Sequence, residues 1–176
     1  MRNYDIMAAY SGKMKMQGRK KVYVETSVIS NLTARRSSRV ADALMQITTE
    51  AWWEMASIRY SLFYSSVVVD EASRGNPEAA QRRLEALKGL IAIEYDDRAV
   101  DLANRLLRST AVPKNSFNDA MHIAIAAVNE MDILVTWNCT HIANVETMPT
   151  IRQVCETAGY RCPEICTPYF MEGGMQ

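Results

Sequence analysis

Short apolar runs rich in β-branched residues alternate with helical segments along most of this chain. Four such runs occupy residues 21–24, 60–65, 90–93 and 133–136, and a short final strand is expected at 165–168. Parallel strands require crossover helices, and the intervals between the runs carry helical periodicity. The pattern therefore predicts an α/β fold, a three-layer α/β/α sandwich with a central parallel sheet of four to five strands.

The 176 residues suffice for one domain with a substantial core. A hydrophobic fraction of 48%, with only seven Gly and five Pro, excludes disordered and low-complexity classes. We expect a single domain over 20–170. Residues 1–18 lack any period and are expected to form a disordered N-terminal extension.

The net charge constrains the partners. Twenty basic residues balance twenty acidic ones, so no overall positive field would hold this protein on a polyanion, and any such partner must be held locally. Residues 1–21 contain no apolar signal region, and no stretch approaches the roughly 20 apolar residues that span a bilayer. We expect a cytoplasmic protein with no membrane association and with reduced cysteines.

Two helices stand out in the pattern. The helix expected over 119–128 has almost no polar face and must be buried. A second helix is expected over 38–59, with Ser37 and Ser38 as its N-caps. We expect most of its apolar residues to lie in the core, although this face could also form a groove for a partner peptide. They are Val40, Leu44, Ile47, Ala51, Met55 and Ile58.

Acidic and amide side chains follow the predicted strands. Glu25 ends the first strand, Glu71 follows the second, Asp119 begins the buried helix and Asn138 follows the fourth strand. In an open parallel sheet the carboxyl ends of the strands converge on one crevice. Clustered carboxylates repel one another unless a cation is present, and an oxygen ligand set suits Mg²⁺ or Mn²⁺.

Ordinary structural roles are open for the same residues. Glu25 could be solvated or cap a helix, Asp119 is of a type favoured at helix N-termini, and Asn138 could be a turn residue. On so apolar a helix, His122 is expected to be a core or near-site histidine. His141 is expected on the surface of the loop after the site.

Four segments together resemble the PIN domain family, in particular its VapC-like toxin ribonucleases, over about residues 20–168. The segments are VYVETS, VVDE, NDAMHIAIA and LVTWNC. Glu25 and Ser27 match the family's first motif, with Glu in place of the commoner Asp. Glu71 and Asp119 match its second and third acids. Asn138 falls where the family usually carries a fourth Asp, and Thr136 matches the small hydroxyl residue before it.

The resemblance implies a metal-dependent endoribonuclease of toxin-antitoxin type that hydrolyses RNA phosphodiester bonds. Glu25, Asp119 and Glu71 would bind Mg²⁺ or Mn²⁺, and Asn138 would complete the catalytic set. Ser27 and Thr136 are expected to hydrogen-bond these residues rather than bind the ion. The implied partners are an RNA substrate, a cognate antitoxin and a second copy in a homodimer.

Two questions stay open at this point. The cluster Arg35, Arg36 and Arg39 is the candidate for RNA phosphate contacts, although a solvated surface is an equal alternative. Asn in place of Asp at position 138 removes one charge from the site. This keeps two alternatives open: a catalytically weakened PIN-like RNA- or protein-binding module, and an RNA-processing nuclease outside a toxin-antitoxin pair.

Overall fold

A computed structural model describes residues 18–172 of the protein as a parallel sheet covered by helices. The strands are β1 (Lys21–Val24), β2 (Ser61–Ser65), β3 (Ile91–Ile93), β4 (Ile133–Val135) and β5 (Glu164–Cys166). The helices are α1 (Thr26–Thr33), α2 (Val40–Arg59), α3 (Ser66–Ala72), α4 (Pro77–Leu87), α5 (Asp97–Arg108), α6 (Phe117–Val128), α7 (Met148–Thr157) and α8 (Pro168–Glu172). The predicted α/β/α fold is confirmed. The extension predicted over 1–18 lies outside the described residues, apart from Gly18.

The sheet has the strand order β3-β2-β1-β4-β5, and every neighbouring pair is parallel. β1 is central: Val22 is in register with Leu62 of β2 on one side and with Ile133 of β4 on the other. Because the strands are parallel, the ends of β1, β2 and β4 and the segments after them meet at one edge. This edge collects polar side chains from distant parts of the sequence.

Helix α6 is the most deeply buried helix of the described chain, as predicted. Residues 120–127 are all buried and include His122. The helix begins at Phe117, with Ser116 as the residue before its first turn, so neither Asn118 nor Asp119 is its N-cap. Asp119 instead lies within the first turn, where its charge is favourable to the helix dipole.

The prediction for the apolar residues of α2 is wrong, because most of them face outward. The exposed fractions are 84% for Val40, 60% for Leu44, 54% for Ile47, 43% for Met55 and 60% for Ile58. Ala51 is exposed as well. We call Val40, Leu44, Ile47, Met55 and Ile58 the α2 stripe.

The buried face of α2 is instead partly polar. Gln46 donates to the Arg35 carbonyl and accepts from the Ser37 backbone amide, while Thr49 accepts from the Trp137 indole. Helical periodicity identifies the apolar and the polar face of such a helix, but it does not determine which face packs against the rest of the protein. Trp52 lies on this buried face and packs into the core.

Three element boundaries also differ from the predictions. Arg39 precedes the first residue of α2 without a side-chain capping bond, so Ser37 and Ser38 are not its caps. The segment of α3 is helical although its Val67–Val69 run is of a composition typical of strands. The last strand lies at Glu164–Cys166 rather than 165–168, and Pro168 begins α8. Among the described helices, none has the length and hydrophobicity needed to cross a bilayer.

Candidate active site

Glu25 is the first residue beyond β1 and the N-cap of α1. Its Oε2 accepts hydrogen bonds from the Ser27 amide (3.0 Å), from the Ser27 hydroxyl and from Thr136 Oγ1 (2.7 Å). The residue is only 5% exposed, so Glu25 is not a solvated side chain. The alternative that it caps a helix is confirmed. Three donors on one oxygen fix the carboxylate and leave Oε1 without a hydrogen bond from the described residues.

Glu71 lies on α3 and faces Glu25, while the neighbouring Asp70 is exposed. Its Oε1 accepts from Asn118 Nδ2 (2.8 Å), and its Oε2 contacts Thr26 Oγ1 (2.5 Å) and His122 Nε2 (3.0 Å). Burial acts to raise the pKa of Glu71. The hydrogen bond and charge of His122, with the bonds from Thr26 and Asn118, outweigh burial and lower this pKa to about 2.

His122 is fully buried between Glu71 and the core. Its Nδ1 lies 2.9 Å from Tyr23 Oη, which lies 2.7 Å from Ser65 Oγ. Burial acts to lower the pKa of His122, but the hydrogen bond to Glu71 and the charges of Glu25, Glu71 and Asp119 raise it overall. The expectation of a core or near-site histidine is therefore confirmed, since this ring belongs to both.

Glu25, Glu71 and His122 form the one group of potential metal ligands found among residues 18–172. One ligand atom from each lies within 4.8 Å of the others. Two of the three donors are carboxylate oxygens, which suit Mg²⁺ and Mn²⁺, and Glu25 Oε1 has no competing hydrogen-bond donor. The donor set therefore fits a divalent cation held by the two carboxylates.

Asp119 forms a second polar cluster with the loop after β4. Its Oδ1 accepts from Asn138 Nδ2 (3.0 Å), and its Oδ2 lies 2.8 Å from His141 Nδ1. Asn138 Oδ1 in turn accepts from the His141 backbone amide (3.0 Å). The expectation of a surface role for His141 is wrong, because its side chain is two-thirds buried against Asp119.

The structure thus brings the predicted residues together in two adjoining sets. The first set contains Glu25 and Glu71, and Ser27 and Thr136 are hydrogen-bonded to Glu25. The second set contains Asp119 and Asn138. Asp119 is three residues before His122 on α6, so the two side chains lie on one face of the helix. Thr136 Oγ1 also accepts a hydrogen bond from the backbone amide of Asn138 (2.8 Å), and this bond connects the two sets.

The three arginines of the predicted phosphate-binding cluster form ion pairs with exposed carboxylates. Arg35 pairs with Glu78, Arg36 with Glu50 and Arg39 with Asp42, at distances of 3.4, 2.7 and 3.6 Å. All three arginine side chains are at least 60% exposed. Exposed pairs of this kind are weak, so the guanidinium groups stay accessible to a competing anion.

Sequence reasoning missed several contributors to the site. Thr26 and Asn118 each donate to Glu71, and Tyr23 holds His122. Thr26 and Asn118 are sequence neighbours of Glu25 and Asp119, which was a usable signal. Tyr23 occupies an ordinary strand position, so nothing in the local sequence distinguishes it from a core aromatic residue.

A parallel α/β sheet with clustered acidic residues at its carboxyl edge defines the class of this protein. A model of the PIN domain family matches residues 22–138, more than half of the chain. The chain therefore belongs to the PIN domain family. No curated protein sequence shows significant similarity to it.

The chain is similar to solved structures at low sequence identity. One is VapBC2 from Rickettsia felis bound to a DNA fragment from its promoter, with a TM-score of 0.55 and 13% identity over 84% of this chain and 98% of that chain. Another is VapC20 from Mycobacterium tuberculosis, described as a sarcin-ricin loop cleaving toxin, with a TM-score of 0.45 and 16% identity over 64% of this chain and 86% of that chain. At this identity the first likeness is one of fold alone.

Proposed function

We propose that this protein is a Mg²⁺- or Mn²⁺-dependent endoribonuclease of the toxin class, which hydrolyses RNA phosphodiester bonds. The observation that supports it best is the pair Glu25 and Glu71. Segments 46 residues apart bring these two carboxylates and His122 within 4.8 Å of one another at the carboxyl edge of the sheet. Two carboxylates this close, one buried and the other partly buried, favour a cation between them.

In this proposal Glu25 and Glu71 hold the ion, and Asp119 completes the acidic set from the start of α6. When bound, the ion would offset phosphate charge and activate water for attack on phosphorus. Ser27 and Thr136 keep the Glu25 carboxylate in one orientation. Thr26, Asn118 and His122 do the same for Glu71.

Cleavage of purified RNA with added Mn²⁺ or Mg²⁺, and with excess EDTA, tests this proposal. The protein must first be freed of any bound partner. We expect ends with 5′-phosphate and 3′-hydroxyl groups, no cleavage in EDTA, and loss of cleavage in Glu25→Gln, Glu71→Gln and Asp119→Asn with the fold retained. Equal cleavage in EDTA would refute the metal mechanism. RNA binding without cleavage would favour the binding-module alternative.

We further propose that an antitoxin protein covers the α2 stripe. Five large apolar side chains exposed along one helix are more than isolated surface residues, and contiguous patches of this kind mark interaction sites. An amphipathic segment of a partner would bury them by the helix-in-groove mode. Co-expression with the protein encoded by the adjacent reading frame tests this, because Leu44→Glu should abolish co-purification while leaving the fold intact. Self-association through the stripe would instead appear as a dimer of the isolated chain.

A further inference from the structure

The His141 ring is held in one orientation at the rim of the candidate site. Nδ1 lies 2.8 Å from Asp119 Oδ2 and 3.2 Å from Ser116 Oγ, and the backbone amide donates to Asn138 Oδ1 (3.0 Å). These contacts come from α6, from the residue before it and from the loop after β4. The two contacts of Nδ1 orient the ring, and the backbone contact anchors the residue, so His141 is part of the site.

The contact with Asp119 determines which nitrogen of the ring carries the proton. An ionised carboxylate only accepts hydrogen bonds, so Nδ1 is the donor and, in the singly protonated ring, Nε2 presents a lone pair. Among the described residues Nε2 has no hydrogen-bond partner, and it is not among their buried unpartnered atoms. His141 therefore offers an accessible acceptor beside the acids of the site.

We propose that His141 Nε2 accepts a hydrogen bond from a ribose 2′-hydroxyl next to the scissile phosphate, and that His141 thereby selects RNA over DNA. This inference rests on the proposed ribonuclease function. The phosphate itself offers only acceptors, so an acceptor at this rim is matched by a donor on the sugar or the base. The 2′-hydroxyl is the donor that every ribonucleotide carries beside its 3′-oxygen, and it distinguishes RNA from DNA.

The position of His141 relative to the ion site supports a contact close to the reacting phosphate. Asp119 connects His141 to α6, and one helical turn further on the same face His122 contacts Glu71. His141 and a phosphate bound by an ion at Glu25 and Glu71 would therefore lie beside the same face of α6. No other accessible imidazole lies within the described chain, since its remaining histidine, His122, is fully buried.

A matched variant of His141 distinguishes its proposed contact with the sugar from its hydrogen bond to Asp119. In His141→Asn the amide nitrogen stands in for Nδ1 and can still donate to Asp119, but nothing replaces Nε2. The probe is a short RNA that the parent cleaves at one mapped bond, made either as all ribose or with a single 2′-deoxy nucleotide on the 5′ side of that bond. Both proteins are assayed on both substrates.

We expect the single deoxy substitution to lower kcat/KM of the parent by about three- to tenfold, the loss of one hydrogen bond. His141→Asn should cleave the all-ribose RNA more slowly by a similar factor and show no further loss on the deoxy substrate. A deoxy penalty of the same size in both proteins would overturn the proposal, since His141 would then only support Asp119. Discrimination that follows the base rather than the sugar would also overturn it.

A binding measurement keeps the test independent of catalysis. With Mn²⁺ present and a non-hydrolysable linkage at the mapped bond, the affinity of the parent for the all-ribose oligonucleotide should exceed its affinity for the deoxy form, and His141→Asn should bind the two equally. A parent that binds but cannot cleave RNA under any metal condition would refute the proposed function, while this comparison would still decide the role of His141. Equal affinities of the parent for the two oligonucleotides would overturn the role of His141 alone.

Discussion

The side-chain amide of Asn138 donates a hydrogen bond from Nδ2 to Oδ1 of Asp119 over 3.0 Å. A carboxylate at position 138, which the PIN family usually carries, cannot donate this bond. The two negative charges would instead repel each other unless an ion lay between them. The amide thus allows the two side chains to stay in contact in the absence of a cation.

The first prediction concerns this pair. We expect Asn138→Asp to lower the free energy of unfolding of the metal-free protein by about 1–2 kcal/mol, through the lost bond and the added repulsion. Mn²⁺ should stabilise this variant more than the parent, because the ion relieves the repulsion. Thermal unfolding with and without saturating Mn²⁺ measures both effects.

Asn138→Ala is the control for this prediction, because it loses the bond without adding charge. A rise in unfolding temperature on adding Mn²⁺ that is no larger in Asn138→Asp than in the parent would contradict the prediction.

The second prediction concerns Thr136, which is fully buried between Glu25 and Asn138. Thr136→Val preserves the shape of the side chain. It leaves Glu25 Oε2 without one hydrogen-bond donor and the Asn138 backbone amide without its acceptor. We expect a loss of about 1–3 kcal/mol in the free energy of unfolding and a fall in cleavage rate. Urea unfolding and an RNA cleavage assay check this. Thr136→Ser keeps the hydroxyl and should stay close to the parent in both; a Val variant as active and stable as the Ser variant would argue against a role for the hydroxyl.

The third prediction concerns the buried chain of Tyr23, His122 and Ser65. Tyr23→Phe removes the hydroxyl that contacts both partners, at a cost of about 1–3 kcal/mol. Ser65→Ala should cost less once Tyr23 is already Phe, because the two residues share one bond. Chemical denaturation of the two single variants and the double variant gives the coupling. Strictly additive losses would show that the bond contributes nothing to stability.

The fourth prediction concerns pH. The pKa of His122 is raised in the folded chain, so its interaction with Glu71 stabilises the protein fully below the unfolded value of about 6.5. That stability is lost as the pH rises through the raised folded value. The pKa of Glu71 is lowered to about 2, so its contribution is present above about 4.5 and is lost as the pH falls toward 2. The two effects together place the maximum stability of this pair at mildly acid pH, between about 4.5 and 6.5.

Urea unfolding in EDTA at pH 6, 7.5 and 9 measures the alkaline side of this profile. We expect the parent to lose free energy of unfolding relative to His122→Gln as the pH rises, because the variant has no imidazolium to lose. The groups facing His122 are Glu25, Glu71, Asp119 and Tyr23. Parallel pH profiles of the two proteins would refute the assignment.

The sequence predicted the sheet, the buried helix α6 and the acids at strand ends, because these depend on local periodicity and on one topological rule. It did not predict which side of α2 is covered, since the polar Gln46 and Thr49 are buried through hydrogen bonds to loops distant in sequence. It also placed His141 on the surface. The contact of His141 with Asp119 depends on how the loop after β4 folds back toward α6, which no local pattern specifies.

The central position of β1 determines when this site comes into existence. Thr136, which orients Glu25, is translated 111 residues after it. During synthesis, the carboxylate cannot take up its final orientation until β4 and the loop that follows have emerged from the ribosomal exit tunnel. A nascent chain of this design therefore cannot assemble the complete site before the segment that carries Thr136 has emerged.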